Sequence, residues 1–382
     1  MDDRHSRTEH LSPPSFRRYT QTQDDHDAAG PNQNEFPETS LWAVYDKIRG
    51  CLLGGAIGDA LGAPLENLTY QQIRKKFGSM TGFVEHDAHW GRVTGNTQLT
   101  CYTAEGVIRS FQRYKNRGIC SVQNVLEYTY HRWLEAQNAI GPIAVSTGHG
   151  QTGWLMNVPE LRFTRGKSLT LRHALLGKPQ NSKGNGALTR IAPVGLAPFV
   201  SSFESGCEIA SISHGHPLAS LSAGIFAEMI ARALRGDDFL TAARQALELI
   251  ESKPEALPLV RSIQSALKLG QSGATKPEDY QPLGPGVDAV QALCRALSVT
   301  CLVTCHPDRI DAEQGLLLAV SAGGATDAVG SLTGQLLGAF LGHPKLPQKL
   351  CTEVELAALL ETIARDMFIG FFRGFGILYP PN

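Results

Sequence analysis

The chain has 382 residues, with 35 Lys and Arg against 36 Asp and Glu, a formal net charge of −1. No basic stripe or Lys/Arg run stands out, which argues against a nucleic-acid-binding chain. Hydrophobic residues at 42% and charged residues at 19% are the proportions of a globular protein with a sizeable core, and no uncharged apolar run reaches membrane-spanning length.

The opening, Met1-Asp2-Asp3-Arg4-His5, has no apolar stretch behind a basic start. No signal peptide is therefore expected, and the chain reads as cytoplasmic. Residues 1–40 are rich in Asp, Arg, Gln, Asn, Ser and Pro and almost free of aliphatics. Such a segment buries too little apolar surface to offset its ordering entropy, and it reads as a disordered or partner-ordered arm. From Leu41 the apolar spacing turns helical. It predicts a helix running from Leu41 to Leu61 and further helices over 101–116, 122–136, 217–234, 239–250, 258–268, 287–304, 311–321, 329–341 and 352–370. Gly- and Pro-rich stretches divide them at Gly78–Gly91, Gly141–Gly153, Gly177–Gly186 and Gly270–Gly286. Strand-like alternation is scarce and no internal repeat appears. The expectation is a single all-α domain over 41–382 behind the arm. Eight scattered cysteines, at 51, 101, 120, 207, 294, 301, 305 and 351, include no C-x-x-C pair. They read as small buried hydrophobes, not as a zinc site.

Within the first helix, Gly50, Gly54, Gly58 and Gly62 fall four apart on one face. Each interior glycine costs about 1 kcal/mol against alanine, so four together predict very close contact with another backbone. Asp59 lies near the end of this helix, and Glu66 follows in the loop after Pro64. From the residues alone, this is a packing helix that leads an acidic residue into a cleft. Four further segments follow in order. They are Thr94-Gly95-Asn96-Thr97-Gln98, then Ser182 to Pro193 around Gly184-Asn185-Gly186 and Arg190, then Ser213-His214-Gly215-His216-Pro217, then Gly323-Gly324-Ala325-Thr326-Asp327-Ala328.

These five segments, in this order over roughly residues 48–342, resemble the motifs of the ADP-ribosylglycohydrolase family of the dinitrogenase-reductase-activating type. The resemblance implies an all-α fold with two Mg²⁺ ions in a central cleft, removing ADP-ribose from arginine, serine or related acceptors. It implies metal ligands at Thr94, Gly95 and Asn96 in a T-D-D-T pattern, and at Ala325, Asp327 and Ala328 in a G-G-D-T-D-T pattern. It places Glu66 beside the metals as the catalytic carboxylate, acting as a ligand or in activating the reaction. Gly184, Asn185, Gly186, Gly323 and Gly324 are the expected ADP-ribose contacts. The chain departs from the pattern where the carboxylates belong. Gly95, Ala325 and Ala328 offer no side-chain oxygen, and only Thr94, Asn96 and Asp327 remain as metal positions. Hard divalent cations need oxygen ligands, preferably anionic ones.

The resulting expectation is a hydrolysis-deficient member of the family with no Mg²⁺ or one weakly bound ion. It would bind ADP-ribose, an ADP-ribosylated protein or an ADP-ribosyltransferase, including a toxin occluded by the arm. The alternative is an active Mg²⁺-dependent hydrolase in which Asp59, Glu66, Glu85 or Asp87 compensates. A purely structural use of the fold, as in the family's eye-lens crystallin relatives, is the third reading. Gly184-Asn185-Gly186 suits close backbone approach to a diphosphate or ribose. Arg190 reads equally as a pocket residue or an ion-pair partner, and His214 and His216 read as cleft-lining or structural.

Overall fold

The computed structural model describes residues 38–137, 153–166, 168–178 and 180–373. The expected arm therefore lies, up to residue 37, outside the described residues, as does most of the Gly141–Gly153 connection. Fifteen α-helices follow: α1 Glu38–Gly62, α2 Tyr70–Phe77, α3 Gly95–Arg117, α4 Val122–Ala136, α5 Leu169–Leu175, α6 Ala192–Gly195, α7 Ser202–Ser211, α8 Pro217–Arg235, α9 Phe239–Glu248, α10 Leu257–Gln271, α11 Ala289–Cys305, α12 Ala312–Ser321, α13 Thr326–Leu341, α14 Gln348–Glu353 and α15 Ala357–Phe372. Only isolated β-bridges occur among the described residues. The described residues form a single all-α domain.

Local chemistry sets most of the helix ends. Asp238, Asp288 and Asp311 accept from the backbone N–H three residues on, and Gly118 and Gly236 close α3 and α8 in the left-handed conformation. The expected helix over 352–370 is divided instead. Leu356 takes φ +68° between α14 and α15, a turn that a leucine does not advertise. α8 is long and apolar enough to cross a membrane by length and composition, but most of it is packed inside the fold as a core helix.

The central feature is the antiparallel pair α1 and α13, the most extensive helix contact in the molecule. Gly50 faces Gly338, Gly54 faces Gly334, Gly58 faces Gly330 and Gly62 faces Thr326. A β-carbon at any of these glycines would run into the backbone carbonyl opposite. The glycine stripe lets the two backbones touch, the geometry in which Cα–H···O contacts form. It also brings Asp59, one residue past Gly58, close to the start of α13.

Candidate functional site

Asp59 is fully buried at the bottom of the site. Its carboxylate accepts from the backbone N–H of Thr94 (2.8 Å), the Thr94 hydroxyl (2.7 Å), the Thr97 backbone N–H (3.2 Å) and the Thr97 hydroxyl (2.6 Å). The segment Thr94–Gln98 is thus not a free loop but the N-cap and first turn of α3. Thr94 caps the helix through Asn96 N–H (3.1 Å), and Asp59 supplies the negative charge that a helix start favours. Gln98 faces the other way and donates to the carbonyls of Glu160 and Phe163.

Across the cleft, Gly323 and Gly324 form a positive-φ turn that leads into α13. The turn is tied to the segment after Glu66. Asn67 N–H donates to Gly324 O, and Gly324 N–H donates to Leu68 O, each at 2.9 Å. Their backbone groups and close packing serve this junction; a β-carbon on Gly324 would collide with the Pro285 carbonyl. The turn sets Asp327 opposite Glu66. Asp327 accepts from its neighbour Ala328 N–H at 2.6 Å, and burial together with Glu66 pushes it well above the usual carboxylate range. Its protonated form is favoured accordingly, while Glu66 Oε2 is buried with no partner among the described residues. Asn96 lies between the two walls. Its Nδ2 donates to Asp59 Oδ1 (3.3 Å) and to Asp327 Oδ2 (3.1 Å). Glu66, Thr94, Asn96 and Asp327 are each half-buried, as residues lining a cleft are, whereas Ala325 and Ala328 are buried.

The Gly184-Asn185-Gly186 turn joins this site through the segment 285–288. Asn185 N–H donates to Val287 O (3.1 Å) and its side chain to Gly286 O (2.9 Å), while Ala325 N–H donates to Pro285 O (2.8 Å). The Asn185 N–H is committed inside the protein and does not point at a ligand. Arg190 is buried and pairs with no carboxylate among the described residues. It donates to Gly186 O (2.5 Å) and Ser213 Oγ (2.6 Å) and lies over the Tyr130 ring. His214 packs beneath Gly184 and Gly186. His216 accepts from Leu218 N–H and caps α8, a structural role. Asp87 is exposed and pairs with Arg92 at 3.3 Å. Of the four carboxylates considered as replacements, Asp59 and Glu66 stand beside Asp327.

A profile of the ADP-ribosylglycohydrolase family matches residues 42–374. The chain belongs to the ADP-ribosylglycohydrolase family. The ADP-ribosyl-(dinitrogen reductase) glycohydrolase of Rhodospirillum rubrum is 24% identical over 82% of this chain and 92% of its own length. The ADP-ribosylhydrolase ARH3 of Bos taurus is 24% identical over 79% of this chain and 87% of its own. A solved ADP-ribosylglycohydrolase-related protein complex shares the fold at a TM-score of 0.59 and 24% identity, covering 86% of this chain and 99% of that one.

One feature of this family member was not legible in its sequence. Arg165 makes a two-pronged ion pair with Glu355, at 2.7 and 3.0 Å, and Glu355 accepts from Val93 N–H just before α3. This pair fixes the path of residues 163–166, and the Arg165 carbonyl then fills the space where a β-carbon on Gly95 would lie. The absent carboxylate at 95 is thus matched by a backbone that leaves it no room. No motif signals this, because it depends on a partner 190 residues away.

The carboxyl cluster also sets a pH dependence. Asp59 is pushed up to about 6, first by burial and then by Asp327, against the pull of the Thr97 and Thr94 donors. A carboxyl raised in the fold keeps a proton that the unfolded chain releases above pH of about 4. Its stabilising contribution is complete at acid pH and is lost as pH rises through the folded value, about 6 for Asp59 and well above the usual carboxylate range for Asp327. Asp327→Asn removes the ionisable group and with it this pH dependence. It should therefore gain in melting temperature on wild type as pH rises from 4 to 8. A difference that stays constant across the range would show that no proton is held there.

Proposed function

We propose that the chain is a hydrolysis-deficient ADP-ribosylglycohydrolase-fold protein that acts by binding ADP-ribose, free or attached to a protein. The observation that carries this reading is Asn96, whose amide nitrogen joins Asp59 to Asp327. An N–H donor there satisfies the two carboxyl groups that a cation would otherwise draw together. The residues present do not fit two hard cations. Gly95 has no space for a carboxylate, and Ala325 and Ala328 bring only methyl groups. Among the described residues no three carboxylate, imidazole or thiol groups surround one point suited to a metal. Glu66 and Asp327 remain side by side, and the two glycine turns are braced through the 285–288 segment.

Calorimetry with ADP-ribose tests the reading, run once with Mg²⁺ and once with chelator. The expected result is binding of the same strength in both, with no release of ADP-ribose from an ADP-ribosylated arginine or serine protein. Release that begins with Mg²⁺ and stops with chelator would establish an active hydrolase with a rearranged site. No binding at millimolar ADP-ribose would favour structural use of the fold.

A further inference from the structure

We propose that Ser213, oriented by Arg190, is a positioning residue that fixes the proton of His214 on Nε2, so that a neutral imidazole presents an N–H donor at the Gly184–Gly186 turn to a phosphate or hydroxyl oxygen of the bound ligand. The ligand half rests on the ADP-ribose-binding reading above; the placement of the proton does not.

The placement follows from a short donor–acceptor chain. A guanidinium only donates, so Ser213 Oγ accepts from Arg190 Nη2 at 2.6 Å. Arg190 is itself held by Gly186 O and by the Tyr130 ring, whose hydroxyl bonds Thr103 at 2.9 Å. Ser213 is 2% exposed, and the one acceptor in reach of its hydroxyl proton among the described residues is His214 Nδ1, at 2.8 Å. Were Nδ1 to carry the ring proton, Ser213 Oγ would accept twice and its own proton would be buried without a partner, an arrangement proteins avoid. Nδ1 therefore accepts, and the proton of the neutral ring sits on Nε2. Burial and the facing Arg190 charge push His214 down to about 3, so the ring is neutral at physiological pH.

Nε2 has no hydrogen-bond partner among the described residues. It lies 3.3 Å from where a β-carbon on Gly184 would be and 3.7 Å from that of Gly186. Both residues of the turn that face Nε2 lack the β-carbon that would pack against it, while the ring as a whole is buried, His214 being 3% exposed. A donor fixed in this way needs no reorientation when an acceptor arrives, which is the advantage of a pre-organised site.

Two-bond ¹⁵N–¹H correlation spectra of the full chain labelled at histidine read the tautomer directly. At pH 7 wild type should show the Nε2–H pattern for His214. Ser213→Thr, which keeps the hydroxyl, should retain it. Ser213→Ala should shift His214 towards Nδ1–H and weaken ADP-ribose binding about tenfold, the loss of roughly one hydrogen bond. An Nδ1–H pattern in wild type would overturn the proposal, as would a Ser213→Ala spectrum that keeps the wild-type pattern. An Nε2–H pattern in a wild type that binds no ADP-ribose would uphold the relay and refute the ligand reading.

Discussion

Gly58→Ala should destabilise the protein by about 3 kcal/mol and lower its melting temperature by about 5 °C. The direction is informative because helix propensity alone predicts the reverse, a gain of about 1 kcal/mol for alanine over glycine inside a helix. Tertiary contact overrides propensity at this position. The new methyl would land on the Gly330 carbonyl, which is backbone and cannot rotate away, so α1 and α13 would have to separate. Separation would also disturb the site, since Asp59 follows Gly58 directly and Thr326 bonds Gly62 O at 2.8 Å just ahead of Asp327. On the binding reading proposed above, affinity for ADP-ribose should therefore weaken along with stability. Gly370→Ala in α15 is the matched control. A β-carbon there meets nothing within 4 Å, and the variant should melt at or slightly above wild type. Thermal melts of the two variants decide the matter. A Gly58→Ala protein as stable as wild type would mean that the glycine stripe is not a contact surface.

The stripe is also the clearest case of structure legible in sequence. Four glycines at intervals of four in an otherwise apolar helix have few explanations besides a touching backbone, and α13 supplies it with Gly330, Gly334 and Gly338 at the same interval. Long helices with a continuous apolar face were legible for the same reason. The short ones were not. α2 buries only Ile73 among its polar residues, although the Thr69–Gln72 capping box before it was readable. α5 and α6, of seven and four residues, are too short for apolar periodicity to stand out. The site was legible as a list of side chains and opaque as geometry. Its motifs named Asp59, Glu66, Thr94, Asn96 and Asp327, but not that Asp59 is the acceptor at its centre, receiving four bonds from the α3 start and one from Asn96. That role depends on how closely α1 approaches α3. Likewise, the loss of a carboxylate at Gly95 could be counted in the sequence, while the Arg165 carbonyl that takes its space could not.

Asn96→Asp should convert the site from one closed by a hydrogen-bond donor into one that needs a cation. The substitution keeps the shape of the side chain and changes only what it offers. Two N–H bonds, to Asp59 and Asp327, are lost, and a further carboxyl group is added beside Asp59, Glu66 and Asp327. Without metal, unmade bonds to buried acceptors cost about 2 kcal/mol, and like-charge repulsion adds to that loss. With Mg²⁺ or Ca²⁺ in millimolar excess, the same carboxylates become ligands, and an ion present at a hundred times its dissociation constant returns about 2.7 kcal/mol. The melting temperature of Asn96→Asp should thus fall in chelator and recover as the cation is added, whereas wild type should melt at one temperature in both. The contrast separates two roles for Asn96 that its sequence position leaves open. If it serves as a donor, wild type ignores the cation. If its carbonyl oxygen turns to a metal in solution, wild type itself gains stability from Mg²⁺, and the binding-only reading of this family member falls with that result.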